Sequence, residues 1–344
     1  MKSFVETTPT QNAATTVRSL LDRVLALNRP LTILGAVMAV TFLATVIGIF
    51  ADPRVITGVP AWIKPAKFAI SISVYAFTLA WLLGFVEGHS RLVRLIANVT
   101  VASIAVEIIA IVTQVVRGTT SHFNVSTPFN YLVWMSMGGF IVLVWVMNLL
   151  LAVLLIRQRM TDRAFAWSLR LGVLISFLGM AVAFLMVPPT SQQLAVIAGG
   201  HGPRIMGAHT VGVADGGPGL PFLGWSTVAG DLRVGHFIGL HALQVLPFLG
   251  WLLTRRRGVL VFLFAVDGLA LVWTAGLAYL GLVALVVWQA MRGQSVIHPD
   301  AATIAAAAAL VIGVAASIAI VVARIWTRNR KGRVLASAVR ILAD

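Results

Sequence analysis

Twelve residues, Arg233 to Gln244, read RVGHFIGLHALQ, and the run VLPFLGWLLT that follows is almost wholly apolar. Two imidazoles and an amide in such a stretch are chemically conspicuous. A neutral imidazole nitrogen is a ligand for Zn, Fe or Cu, it is an axial ligand for haem, and it carries protons near neutral pH. On a straight helix, at about 100° per residue, His236 and His241 point about 140° apart, whereas His241 and Gln244 differ by only about 60°. The two histidines therefore take different partners. Pro247 removes a backbone donor and crowds the carbonyl of Leu243, which predicts a kink just beyond Gln244.

Other chemistry-bearing side chains lie at matching depth. Glu107 stands inside an apolar segment, seven residues before Gln114 and on the same helical face. An isolated charge there costs roughly 3 kcal/mol, so Glu107 must be paired, protonated or facing a wet cavity, with Lys67, His241 and Arg117 as the available partners. Lys64 and Lys67 flank a segment end, where lysines commonly reach back to the interface. The stretch RGTTSHFNVSTPFN supplies His122, Asn124 and Asn130. A 45-residue segment from Pro188 to Leu232 holds ten glycines with His201, His209, Asp215 and Asp231, and Arg233 follows it. It is too long for a plain connector and reads as a folded cap. Its VADGGPGLP portion contains no Gly-Lys-Ser and opens no helix, which excludes a phosphate-binding P-loop.

The elements that must position these groups are membrane helices. Of 344 residues, 59% are hydrophobic and only 11% charged, too little polar surface to cover a water-soluble globule. Eight apolar windows of about 20 residues or more can be drawn, at 31–50, 66–86, 94–115, 131–156, 165–187, 234–253, 265–289 and 303–325, each able to span a hydrocarbon core about 30 Å thick. In lipid each must be helical, because an unpaired backbone amide costs several kcal/mol. The expected fold is an all-α polytopic membrane protein. A formal charge of +15 is a topology signal: nineteen of the 26 Lys and Arg fall in alternate segments. The positive-inside rule places those segments, with both termini, in the cytoplasm of a bacterial-type inner membrane. No nucleic-acid partner is implied. Residues 17–28, VRSLLDRVLALN, read as an interfacial amphipathic helix broken from the first span at Pro30. Asp267 lies near the cytoplasmic end of span seven, where it neutralises Arg255–Arg257. The chain has no cysteine, so neither a disulfide nor a thiolate centre is available.

Two stretches match across the chain. Gln114-Val-Val-Arg117-Gly118 ends span three, and Gln289-Ala-Met-Arg292-Gly293 ends span seven. More weakly, Lys64-Pro-Ala-Lys67-Phe68 lies over Arg233-Val-Gly-His236-Phe237. Both matches relate spans four apart, which predicts two four-helix halves forming a parallel internal repeat. Residues 1–30 form a cytoplasmic tail, 31–156 the first half, 157–326 the second half with its cap at 188–232, and 327–344 a basic tail. In architecture this arrangement resembles haem A synthases, which also have eight spans and cytoplasmic termini. Those enzymes ligate haem with histidines on four helices, whereas spans two, four and eight here contain none.

The polar groups therefore converge on the outward side: Lys67, Glu107, Gln114, Arg117, His122, His209, Asp231, Arg233, His236, His241 and Gln244. One reading is a site for a ligand or cofactor. His241, Glu107 and His122 or His209 would ligate a divalent transition metal, or haem b would join His236 or His241 to His122 or His209. Glu107 and His241 are then the catalytic candidates, for hydrolysis by a metal-activated water or for redox exchange with a membrane quinone; a lipid or small anion is the other class of ligand. A transporter is the second reading, with Glu107 and His241 relaying protons and Lys67, Arg117 and Arg233 drawing an anion. A non-catalytic sensor or assembly factor is the third.

Overall fold

In the computed structural model, which describes residues 28–254 and 268–341, the chain is all-α. In chain order the elements are α1 (Arg29–Ala51), β1 (Val55–Ile56), β2 (Val59–Pro60), α2 (Ile63–Leu83), α3 (Ser90–Val116) and α4 (Pro128–Arg157). There follow α5 (Arg163–Ala181) with a 3₁₀ turn (Val182–Met186), α6 (Ser191–Ala198), β3 (Thr210–Val211), β4 (Gly230–Asp231), α7 (Leu232–Thr254), α8 (Gly268–Met291) and α9 (Ala301–Ile341). Among the described residues, eight helical segments are long and apolar enough to cross a bilayer, and they fall on the eight windows read from the sequence. Val40, Leu43, Ile47 and Phe50 of α1 are exposed, as side chains facing hydrocarbon are. The protein is a multi-pass membrane protein. Residues 17–27, Arg255–Arg257 and Asp267 lie outside the described residues.

Helix starts follow local capping chemistry. The Asn28 side chain accepts from the Leu31 amide at 3.3 Å, with Pro30 in the first turn of α1. Thr127 caps α4 ahead of Pro128, and Asp162 caps α5. Both QxxRG runs end a helix in the same way. Gly118 and Gly293 each adopt φ +72°, and the residue after each glycine donates back to the carbonyl of the Gln, Thr119 to Gln114 at 3.0 Å and Gln294 to Gln289 at 3.2 Å. This is the Schellman ending, in which glycine takes the left-handed position at no steric cost. The sequence match thus corresponds to a repeated helix ending.

The chain divides into two compact units. The first contains the described chain up to Ile56, Pro60–Ser121 and Met135–Met147. The second contains Thr57–Val59, His122–Trp134 and the described chain from Asn148 onward. Within the second, α5 and α7 cross with almost nothing between their backbones. A Cβ on Gly179 would lie 2.5 Å from the Gly239 Cα, and one on Gly172 would lie 2.9 Å from both the Ala242 carbonyl and the Pro247 ring. Small residues at such crossings let helices exploit dispersion where lipid offers no hydrophobic drive. Beside the crossing, Leu171, Ile175, Ala242, Leu246, Val272 and Val283 form a core shared by α5, α7 and α8. The helix α7 continues through Pro247 to Thr254.

Gly179→Ala should destabilise the protein by about 1–3 kcal/mol, because the added methyl overlaps opposing backbone that cannot rotate away. Thermal unfolding of the purified protein in detergent checks this, with Gly138→Ala as the control, since open space surrounds that glycine.

Candidate functional site

The second unit gathers three of the singled-out histidines. His122 enters on the loop before α4, His209 on the cap segment just before β3, and His236 on the first turns of α7. The His122 and His209 ring centroids are 6.3 Å apart, and Phe123 and Trp134 complete the aromatic wall at 4.9 Å from His209 and 5.5 Å from His122 respectively. His236 lies within electrostatic range of His209.

Main-chain pairing holds the loops that carry these rings. A bridge joins Asn124 to Ile205, Val125 donates to the Arg204 carbonyl at 3.0 Å, and Met206 donates to the Phe123 carbonyl at 2.8 Å. Phe123 takes φ +61° to make this turn, a conformation that costs an L residue about 1–2 kcal/mol. Its side chain then enters a core with Val182, Met186, Leu232 and Ala290. Gly207 leaves the space this needs: a Cβ there would be 2.6 Å from the Met186 carbonyl and 2.7 Å from the Phe123 ring.

Asp215 orients His209. Its carboxylate accepts from the ring Nδ1 at 2.6 Å, from the His209 and Thr210 amides at 3.0–3.1 Å, and from the Thr210 hydroxyl at 2.8 Å. Burial pushes the Asp215 carboxyl up, but the His209 ring and amide and the Thr210 hydroxyl outweigh it and hold the group well below the usual carboxylate range. A carboxylate only accepts, so Nδ1 of His209 carries hydrogen and the basic lone pair of the neutral ring lies on Nε2. The same logic fixes His236, whose Nδ1 donates to the Gly179 carbonyl at 2.8 Å. That carbonyl belongs to the close crossing, three residues before α5 tightens into its 3₁₀ turn.

Other predicted site residues serve different ends. The Arg233 guanidinium grips Asp231 through Nε at 2.9 Å and Nη2 at 2.6 Å and also reaches the Gly224 carbonyl, while Asp231 accepts the Ser226 amide at 2.8 Å. This bidentate clasp closes the cap onto the start of α7. His241 packs edge-on against Phe237 at 4.4 Å and hydrogen-bonds Gln244, the neighbour its helical phase predicts. Ser295 donates to the Ser226 carbonyl at 3.0 Å, and Gln289 donates to the Ser295 carbonyl at 2.8 Å, so the loop before α9 also ties into the cap.

The first unit holds Lys64, Lys67, Glu107, Gln114 and Arg117. Glu107 is only 2% exposed, and the field of Lys64, one turn from Lys67, reaches it. Arg117 donates from Nε to the Gln114 side-chain oxygen at 3.1 Å. Among the described residues, no three His, Asp or Glu side chains gather closely enough to hold a metal ion. No family model matches this chain, and neither does any curated protein or solved structure.

Sequence reasoning missed the roles of Asp215 and Gly179. For Asp215 the available signal was a glycine-punctuated loop, Gly212 to Gly216, that folds the chain back within six residues of His209. A backbone acceptor such as Gly179 has no signature in residue type.

Because the folded-state carboxyl of Asp215 is depressed, its contribution to stability is present above the ordinary value of 3.8 and is lost as pH falls below it. Asp215→Asn should cost about 1.5–3 kcal/mol at neutral pH, as expected for a charged hydrogen bond, and should flatten the acid limb of the stability profile. Thermal melts of both proteins across acid pH read out the difference.

Proposed function

We propose that the second unit binds a haem b-type cofactor beneath its cap, which His209 and His236 would hold, with His122 beside His209. One observation carries the reading: both rings have Nδ1–H fixed on an oxygen acceptor, Asp215 in one case and the Gly179 carbonyl in the other. Metal-ligating histidines show this outer arrangement, which sets the tautomer and directs Nε2 toward the metal. Haem also suits a site with few protein ligands, since the porphyrin supplies four donors and the protein need supply only two. Mononuclear sites built from side chains ask for three or more.

Bound haem would supply one-electron transfer, for which a quinone dissolved in the surrounding lipid is the matching partner. The chain's own residues do the rest. Asp215 keeps His209 oriented and raises its basicity, Gly179 does the same for His236, and Phe123 and Trp134 keep water from the rings. The charge distribution supports a bacterial-type cytoplasmic membrane with both termini inside and the cap outside. The duplicated QxxRG endings support a parallel four-plus-four repeat.

Purified protein should show a Soret band and stoichiometric iron. His209→Ala and His236→Ala should each lose or shift the band, whereas His241→Ala should leave it intact. A wild-type preparation reconstituted with hemin that shows neither band nor iron overturns the assignment.

A further inference from the structure

The first unit contains a second polar feature that the cofactor reading does not use. Along α3, Thr100, Ser103, Glu107 and Gln114 fall within an arc of about 60° at 100° per residue and extend over about 21 Å of helix axis. All four are buried, at 0%, 1%, 2% and 0% exposure. Such a line of polar groups crosses most of a hydrocarbon core about 30 Å thick.

Elsewhere in this unit, hydroxyls on membrane helices satisfy themselves on backbone carbonyls. Thr41 donates to Val37 at 2.9 Å, Thr45 to Phe42 at 2.8 Å, Thr78 to Val74 at 2.7 Å, and Ser73 reaches across to Gly35 at 2.8 Å. That is the ordinary behaviour of Ser and Thr in an apolar helix. The Thr100 and Ser103 hydroxyls are at least as buried as those of Thr45 and Ser73 yet hydrogen-bond nothing in the protein. Leaving such a group unsatisfied costs about 1–3 kcal/mol, so a polar visitor that comes and goes is the economical occupant. Each hydroxyl both donates and accepts, which is what passing a proton requires.

We propose that this face of α3 is a proton path, with Glu107 as the group that takes up and releases the proton. Glu107 binds a proton from the Gln114 side and passes it, through water between the side chains, to the Ser103 and Thr100 hydroxyls. The Thr100 and Ser103 hydroxyls reach neither each other nor Glu107 directly, so water bridges each gap. The titratable groups on the packed elements are Lys64, Lys67 and Tyr75 of α2. Residues 31–50 of α1 and Met135–Met147 of α4 carry none, and on α3 itself Arg91 and Arg94 stand at one end with Arg117 just past the other. Lys64 balances the carboxylate while the proton is away.

The test uses full-length protein in liposomes loaded with a pH-sensitive dye, with a potassium diffusion potential imposed by valinomycin. Wild-type vesicles should acidify faster than empty ones. Glu107→Gln should fall to the empty-vesicle rate, and Ser103→Ala and Thr100→Val should each slow uptake several-fold. Wild-type flux equal to that of empty vesicles, or undiminished flux in Glu107→Gln, overturns the proposal. An acid-minus-alkaline infrared difference spectrum gives a second readout in detergent: a carboxylic C=O band present in wild type and Glu107→Asp, and missing from Glu107→Gln. The same band in all three places the proton elsewhere and equally ends the idea. Neither measurement involves the histidines of the second unit, so its outcome is independent of the cofactor assignment.

Discussion

The second unit depends on two helices that meet without side chains. Gly179 and Gly239 bring the α5 and α7 backbones into direct contact, and in lipid such contact replaces the hydrophobic drive that assembles a water-soluble core. The approach also turns a main-chain carbonyl into a functional acceptor. His236 reaches Gly179 because nothing bulkier stands between them. Packing and site geometry are thus one constraint: a methyl group that spreads the helices also removes the acceptor that fixes the ring.

Around this crossing the cap is held largely by charge-assisted hydrogen bonds. Asp231 clasps Arg233 where the cap meets α7, and Asp215 gathers four donors around the start of β3. At the next loop, Asp300 pairs with Arg292 and caps α9 by accepting from the Thr303 amide at 2.8 Å. Two aspartates, Asp215 and Asp231, therefore organise a glycine-rich segment whose many conformations would otherwise be costly to restrict. Their cations come from helix ends and loops, where both partners can lie near the interface instead of deep in hydrocarbon.

The spans were legible because length and apolarity decide them; the window at 131–156 and the helix Pro128–Arg157 differ only at their ends. The pairing of His241 with Gln244 followed from helical phase. Partners across a loop did not. Asp231 and Arg233 look alike in sequence whether they turn to a ligand or to each other, and here they grip each other. The field of Lys64 on Glu107 was not anticipated, because it depends on how α2 meets α3. Thr100 and Ser103 drew no notice, since hydroxyls in apolar windows usually vanish onto their own backbone. The fold leaves these two, and Ser176 of α5, without such a bond.

The left-handed backbone at Phe123 bears on the kind of membrane the protein can tolerate. Bilayers of different thickness act on spanning helices by tilting them or dragging on their ends. His122 and His209, however, ride on two loops laced to each other by the Asn124–Ile205 bridge and its flanking amide bonds. Their spacing is set in a patch of main chain that hydrophobic mismatch barely touches. The imidazole pair should keep its geometry from thin bilayers to thick ones, and even in micelles.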